Sequence, residues 1–118
     1  MTSSYDDHNV FAKILRGEVP ADVVYEDDRC LAFRDIDAKA PTHVLVIPKA
    51  PITGLGAATP ADEALLGHLL WVAAEVARRD GCGDDFRTVV NHGAGAGQSV
   101  FHLHLHVLGG RPMRWPPG

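Results

Sequence analysis

A single stretch of the chain carries an apolar period long enough for a long helix, and it constrains the fold class more than any other feature. Leu65, Leu66, Leu69, Leu70, Ala73, Val76 and Ala77 recur at helical spacing. The stretch opens on Thr59-Pro60-Ala61-Asp62, a hydroxyl cap followed by proline at the first helical position and an acid at the third, and it stops at Gly81 after Arg78 and Arg79. A helix from residue 60 to about 79 is predicted. A shorter period, Val10, Phe11, Ile14 and Leu15, ends at Gly17 with Pro20 beyond, which predicts a short amphipathic helix.

The rest is rich in β-formers. Residues 23–26 and 30–33, separated by Asp27-Asp28-Arg29, read as a hairpin, and residues 43–47 read as a buried strand ended by Pro48. Residues 87–91 and 102–108 read as two more strands. No strand-helix-strand alternation runs through the chain, so about five strands in hairpin order with two helices predict an α+β domain with an antiparallel sheet.

At 118 residues the chain supports one domain, residues 1–118, with a flexible stretch at about 1–8 and an irregular tail at 111–118. The formal charge of -4 argues against a surface that wraps nucleic acid, since duplex binding needs many cations on phosphates. Cys30 and Cys82 have neither disulfide-framework nor zinc-ribbon spacing. No secretory signal or membrane-length apolar run is seen, so a cytoplasmic location away from membranes is expected.

Seven histidines are an excess for this length, and His102, His104 and His106 fall within five positions. On a strand they would share one face while Leu103, Leu105 and Val107 share the other. Zinc is the obvious rival explanation. However, His102 and His106 would stand roughly 13 Å apart on an extended strand at ~3.3 Å per residue, which is awkward for one tetrahedron. A pair with a distant histidine stays possible, though the chain has no His-Glu-x-x-His element and no acidic ligand near the three histidines; zinc is disfavoured and no cofactor is required. Just before the histidines, Gly93-Ala94-Gly95-Ala96-Gly97-Gln98-Ser99 has the glycines of a loop that brings backbone amides to an anion. Phosphate beside histidine suggests imidazole as a nucleophile at phosphorus, with the central His104 the best candidate. His8 and His68 read as surface residues.

The run His102-Leu103-His104-Leu105-His106-Val107-Leu108 resembles the signature of the histidine-triad (HIT) family. The likeness to its Hint branch extends through Phe11-Ala12-Lys13-Ile14, residues 26–33, Ala40-Pro41-Thr42-His43, Gly97-Gln98-Ser99-Val100, Leu108-Gly109-Gly110-Arg111 and Trp115-Pro116-Pro117-Gly118. The resemblance implies hydrolysis of purine nucleoside phosphoramidates, AMP joined to an amine or a lysine, through a nucleotidyl-histidine on His104. It implies that His106 touches the phosphate and that His102 and His43 form an orienting relay. Ser99 would meet phosphate or the departing amine, Asn91 and Gln98 would bind phosphate beside Gly97 and Val100, and Asp35 would hold the ribose. Phe11, Ile14, Phe33 and Ile36 would enclose the base, although their spacing equally suits core packing. It further implies a homodimer of two five-stranded sheets, with the long helix at the interface and Trp115 near the partner's site. Nucleotidyl transfer, dinucleotide hydrolysis and a non-catalytic nucleotide-binding module are the alternatives; an intact His106 and the Trp-Pro-Pro-Gly ending favour the phosphoramidase. The chain departs from animal Hint proteins at His92, where they carry an acid, at Gly95-Ala96, where they carry Asp-Gly, and at Arg34, in place of a histidine.

Overall fold

The computed structural model describes residues 4–118. Helix α1 (Val10–Leu15) leads into strands β1 (Val23–Glu26), β2 (Cys30–Arg34) and β3 (Thr42–Pro48). Helix α2 (Glu63–Arg79) follows, then β4 (Phe86–Val89) and β5 (Leu105–Gly109). The sheet has the order β1-β2-β3-β5-β4 and every pairing is antiparallel, as expected, but the strands do not follow in simple hairpin order, because β5 lies between β3 and β4.

The two faces of the sheet are chemically distinct because side chains alternate along each strand. Cys30, Ala32, Val44, Val46, Leu105 and Val107 face α2, which presents Leu69, Val72, Ala73, Val76 and Ala77, all almost fully buried. Leu31, Phe33, Leu45 and Ile47 face the other way and pack with Phe11 of α1. The predicted helical stripe is therefore shifted slightly: Val72 lies within it, while Leu70 is 54% exposed.

Helix boundaries follow local chemistry. Asn9 caps α1, its side chain accepting from the Ala12 N–H at 2.9 Å. Gly17 and Gly81 take φ of +76° and +85°, the left-handed geometry that ends a helix. The first turn after Thr59, Pro60–Asp62, is a 3-10 turn, and the α-helix proper begins only at Glu63. The fourth strand starts one residue earlier and ends two earlier than expected.

The larger correction concerns residues 102–108, which are not one strand: β5 begins at Leu105, so His102 and His104 precede the ladder. Pro48 supplies the reason. It closes β3, has no N–H to offer a neighbour, and its carbonyl is taken by the His102 ring. The pairing of β3 with β5 stops at Val46 opposite Leu105. Consequently His102 and Leu103 are both buried, at 0% and 1% exposure, and the strict alternation expected of a strand is lost there.

Residues 111–118 contain no helix or strand, and Trp115 is 81% exposed. Of the stretch expected to be flexible, residues 1–3 lie outside the described residues, whereas Tyr5 is docked against His102. Among the described residues, no helix is long and apolar enough to cross a membrane.

Leu69 has no exposure and sits at the centre of the contact between α2 and the sheet. Leu69→Ala is expected to lower the unfolding free energy by about 3 kcal/mol. Urea denaturation followed by circular dichroism measures this; a change under about 1 kcal/mol would mean that α2 does not anchor the sheet.

Candidate active site

Strands β3 and β5 set two of the histidines. Leu45 pairs with His106, and His43 with Leu108, so His43 and His106 stand diagonally on the face away from α2. Their rings meet with His43 Nε2 2.9 Å from His106 Nδ1. The hydrogens in this pair follow from their neighbours. The backbone N–H of Lys39 donates to His43 Nδ1 at 3.0 Å, so that nitrogen holds the lone pair and the imidazole hydrogen lies on Nε2. His43 therefore donates to His106 Nδ1, which leaves His106 with its hydrogen on Nε2.

The other two histidines are fixed by carbonyls, which can only accept. His104 Nδ1–H donates to the carbonyl of His102 at 2.8 Å, leaving the lone pair of His104 on Nε2. His102 Nε2–H donates to the Pro48 carbonyl at 2.7 Å, and its Nδ1 lies 2.6 Å from the Tyr5 hydroxyl, which must donate to it. The expected relay is thus only half present. His43 orients His106, but His102 is not bonded to His43; it acts on His104 through its peptide carbonyl.

Burial is the leading cause in holding all four histidines below the usual imidazole range. The His102 carbonyl and Asp35 partly oppose it at His104, while Asp35 opposes it at His43. For His106, burial and the neighbouring His104 and His43 push the pKa down to about 4. The cluster is neutral at physiological pH.

Three of these rings line a cavity of about 440 Å³, within the range of small-ligand sites, roughly 300–1,000 Å³. His43, His104 and His106 line one part of it; Phe11, Ile14, Phe33, Leu45 and Val100 give apolar walls. Asp35, Ile36, Lys39 and Ser99 also line it, with Ile36 wholly exposed. The geometry thus brings together ten of the expected site residues: His43, His104, His106, Ser99, Asp35, Ile36, Phe11, Ile14, Phe33 and Val100. His102 supports the cavity without lining it. A larger depression of about 890 Å³, between residues 81–87 and 110–113, holds none of these groups, so size alone does not mark the site.

Asn91, Gly97 and Gln98 do not line the cavity. Gln98, expected on phosphate, is 4% exposed, and its side chain braces the loop: Oε1 accepts from the Gly93 N–H at 2.8 Å, and Nε2 donates to the carbonyls of Thr53 and Val100 at 2.8 and 3.1 Å. Gly93 and Gly97 adopt φ of +89° and +96° at the ends of a 3-10 turn, Ala94–Ala96. Arg34 points to the opposite face, pairing with Asp80 at 2.8 Å.

His92 was not singled out as a site residue, yet it accepts from the Gly56 N–H at 3.0 Å and its ring fills the space over Gly54 and Gly56, where an added Cβ would lie 2.7 Å from it. Nothing local in the sequence signals this contact, and the same holds for Tyr5. His68, read as a surface residue, is instead 2.6 Å from Asp27.

Two histidine-containing groups near the sheet have donors close enough to share a cation. Asp35, His43 and His106 lie within 4.8 Å of one another, but the facing nitrogens of His43 and His106 already share one hydrogen between them. A metal there would require His43 to lose that hydrogen or turn against the Lys39 amide, so the donor set does not fit zinc. Asp27, Cys30 and His68 form the second group, on the α2 side. Burial resists ionisation of Asp27, but hydrogen bonds from His68, Arg29, Tyr25 and Cys30 outweigh it and hold the carboxyl well below its usual range. Burial, with Asp27 beside it, pushes the Cys30 thiol up to about 12. This group is a turn brace.

The chain is similar to known proteins over most of its length. The HIT domain family model matches residues 16–113. A HIT-like protein of Synechocystis is 64% identical over 109 residues, covering 92% of this chain and 96% of that protein. A 14 kDa zinc-binding protein of Zea mays is 50% identical over 115 residues, covering 96% and 90%. Among solved structures, a HIT family hydrolase from Legionella pneumophila superposes with a TM-score of 0.91 at 47% identity, covering 94% of this chain and all of that one.

Because the histidine pKa values are lowered in the folded state, the unfolded chain binds more protons once the pH falls below about 6.5. Stability is therefore expected to be full above that pH and to decline between about 6.5 and 4, the latter being the pKa of His106. Denaturant unfolding at a series of pH values tests this; a flat profile over that window would contradict neutral burial of the cluster.

Proposed function

This chain belongs to the HIT domain family, and from that premise we propose that it is a phosphoramidase of the Hint branch, hydrolysing purine nucleoside phosphoramidates such as AMP joined to an amine or a lysine. The observation that carries the reading is the tautomer of His104. With Nδ1–H committed to the His102 carbonyl, the Nε2 lone pair is the reactive end of a ring lining the cavity.

In the first step the His104 Nε2 lone pair forms a bond to phosphorus as the P–N bond breaks. The bonding pair leaves with the amine nitrogen, which takes a proton from solvent or from the Ser99 hydroxyl beside it. In the second, water attacks the phosphorus as the bond to His104 Nε2 breaks and its electron pair returns to that nitrogen; AMP departs, and the water's proton passes to solvent, or to the Ser99 oxygen where that group gave its own in the first step. His106, donor at Nε2, suits a phosphoryl oxygen that gains charge in both steps. Its low pKa makes it a neutral hydrogen-bond donor rather than a cationic acid. Asp35 takes the ribose hydroxyls, while Phe11, Ile14, Phe33 and Ile36 enclose the base.

One maize relative carries zinc binding in its name; here the shared hydrogen between His43 and His106 speaks against a metal in the reaction. Leu70 and Trp71, 54% and 53% exposed on α2, and Trp115 in the tail support a homodimer in which Trp115 reaches the partner's site.

His104→Ala is expected to lose roughly a thousandfold or more in turnover of an adenosine phosphoramidate while still binding AMP. Trapping a slow substrate and locating the adenylyl group by mass spectrometry identifies the nucleophile; an adduct on any residue but His104 refutes the mechanism. Turnover should also survive exhaustive chelation, and loss that zinc restores would reverse the metal-free reading.

A further inference from the structure

We propose that Tyr5 is a positioning residue for the catalytic histidines, its hydroxyl holding the His102 ring so that the His102 carbonyl stays aimed at His104. The kinetic part of this inference rests on the hydrolase reading; the geometric part does not.

His102 is completely buried and its two nitrogens are held at opposite ends of the ring, by the Pro48 carbonyl at 2.7 Å and by the Tyr5 hydroxyl at 2.6 Å. The first partner accepts and the second donates, so the ring can neither flip nor rotate without leaving a buried polar atom unpaired. The peptide that carries this ring is the one whose carbonyl sets the hydrogen of His104. It lies before β5, where no ladder bond fixes it, and its local anchor is the Leu103 N–H on the Ile52 carbonyl at 2.7 Å. Removing the Tyr5 hydroxyl leaves the His102 ring pinned at one end.

The N-terminal segment is built to deliver this residue. Asn9, the cap of α1, donates through its side chain to the Asp6 carbonyl at 2.7 Å, and its own N–H reaches the same oxygen at 3.3 Å. Tyr5 is thereby tied to the helix whose Phe11 meets His104 edge to face at 5.0 Å. Tyr5 does not line the nucleotide cavity, so its effect must pass through His102.

The test compares Tyr5→Phe, which keeps the ring and removes the hydroxyl, with Tyr5→Leu. Long-range proton–nitrogen spectra of the imidazoles are expected to show a shifted His102 Nδ1 and a mixed tautomer at His104 in Tyr5→Phe, with His43 and His106 unchanged. On an adenosine phosphoramidate, kcat should fall about tenfold in both variants while KM and AMP affinity stay as in the parent. A Tyr5→Phe variant with parental kcat and parental His104 resonances, alongside an impaired Tyr5→Leu, would overturn the inference and leave Tyr5 a packing residue. If the parent itself does not turn over the phosphoramidate, the reaction reading fails, and the spectra alone then decide the role of Tyr5.

Discussion

The carbonyl oxygen of His102 decides what His104 can do. An imidazole has one hydrogen for two nitrogens, and an oxygen that only accepts forces that hydrogen to one side. The opposite nitrogen is left with the lone pair, on a ring that lines the cavity. The Lys39 amide imposes the reverse outcome on the second pair, since by donating to His43 Nδ1 it turns His106 into a donor at Nε2. Two adjacent rings, 5.1 Å apart between centroids, thus receive complementary roles from backbone groups. Burial then keeps both neutral, because a desolvated cation would be costly.

This arrangement depends on the sheet having one face for stability and another for chemistry. The α2 side is closed by aliphatic residues with almost no exposure, so the opposite side is free to hold buried imidazoles beneath a single short helix. Phe11 and Phe33, which pack edge to face at 5.5 Å, serve both as the second core and as cavity wall. Core packing and cavity lining, which compete as explanations for these residues in the sequence, are met by the same side chains.

Most of the architecture was legible in the sequence because it rests on local signals: the Thr59-Pro60 start, the glycine stops, and period-two runs of β-formers. The site was legible in composition but not in wiring. Alternation placed His102, His104 and His106 on one strand face, yet Pro48, 54 residues earlier, ends the ladder and pulls His102 into the core. The family resemblance puts Gln98 on phosphate, whereas its side chain is taken by the Gly93 N–H and by the Val100 and Thr53 carbonyls, the last of them outside the loop. Tyr5 and His92 act on partners 97 and 36 residues away, and no local spacing rule reports such contacts.

The contact of His92 with Gly54 and Gly56 also limits how the chain can vary. Besides the Gln98–Thr53 and Leu103–Ile52 hydrogen bonds, the segment after β3 and the segment before β5 meet through one aromatic ring laid on two glycines, with the Gln98 oxygen only 3.1 Å from where a Gly54 side chain would begin. A side chain at 54 or 56 would meet the His92 ring at 2.7 Å, so this exposed ring would have to swing aside to admit it. The three positions are therefore coupled through side-chain packing rather than through the sheet ladder. This packing joins the segment after β3 to the segment before β5 without any of the cavity-lining groups taking part.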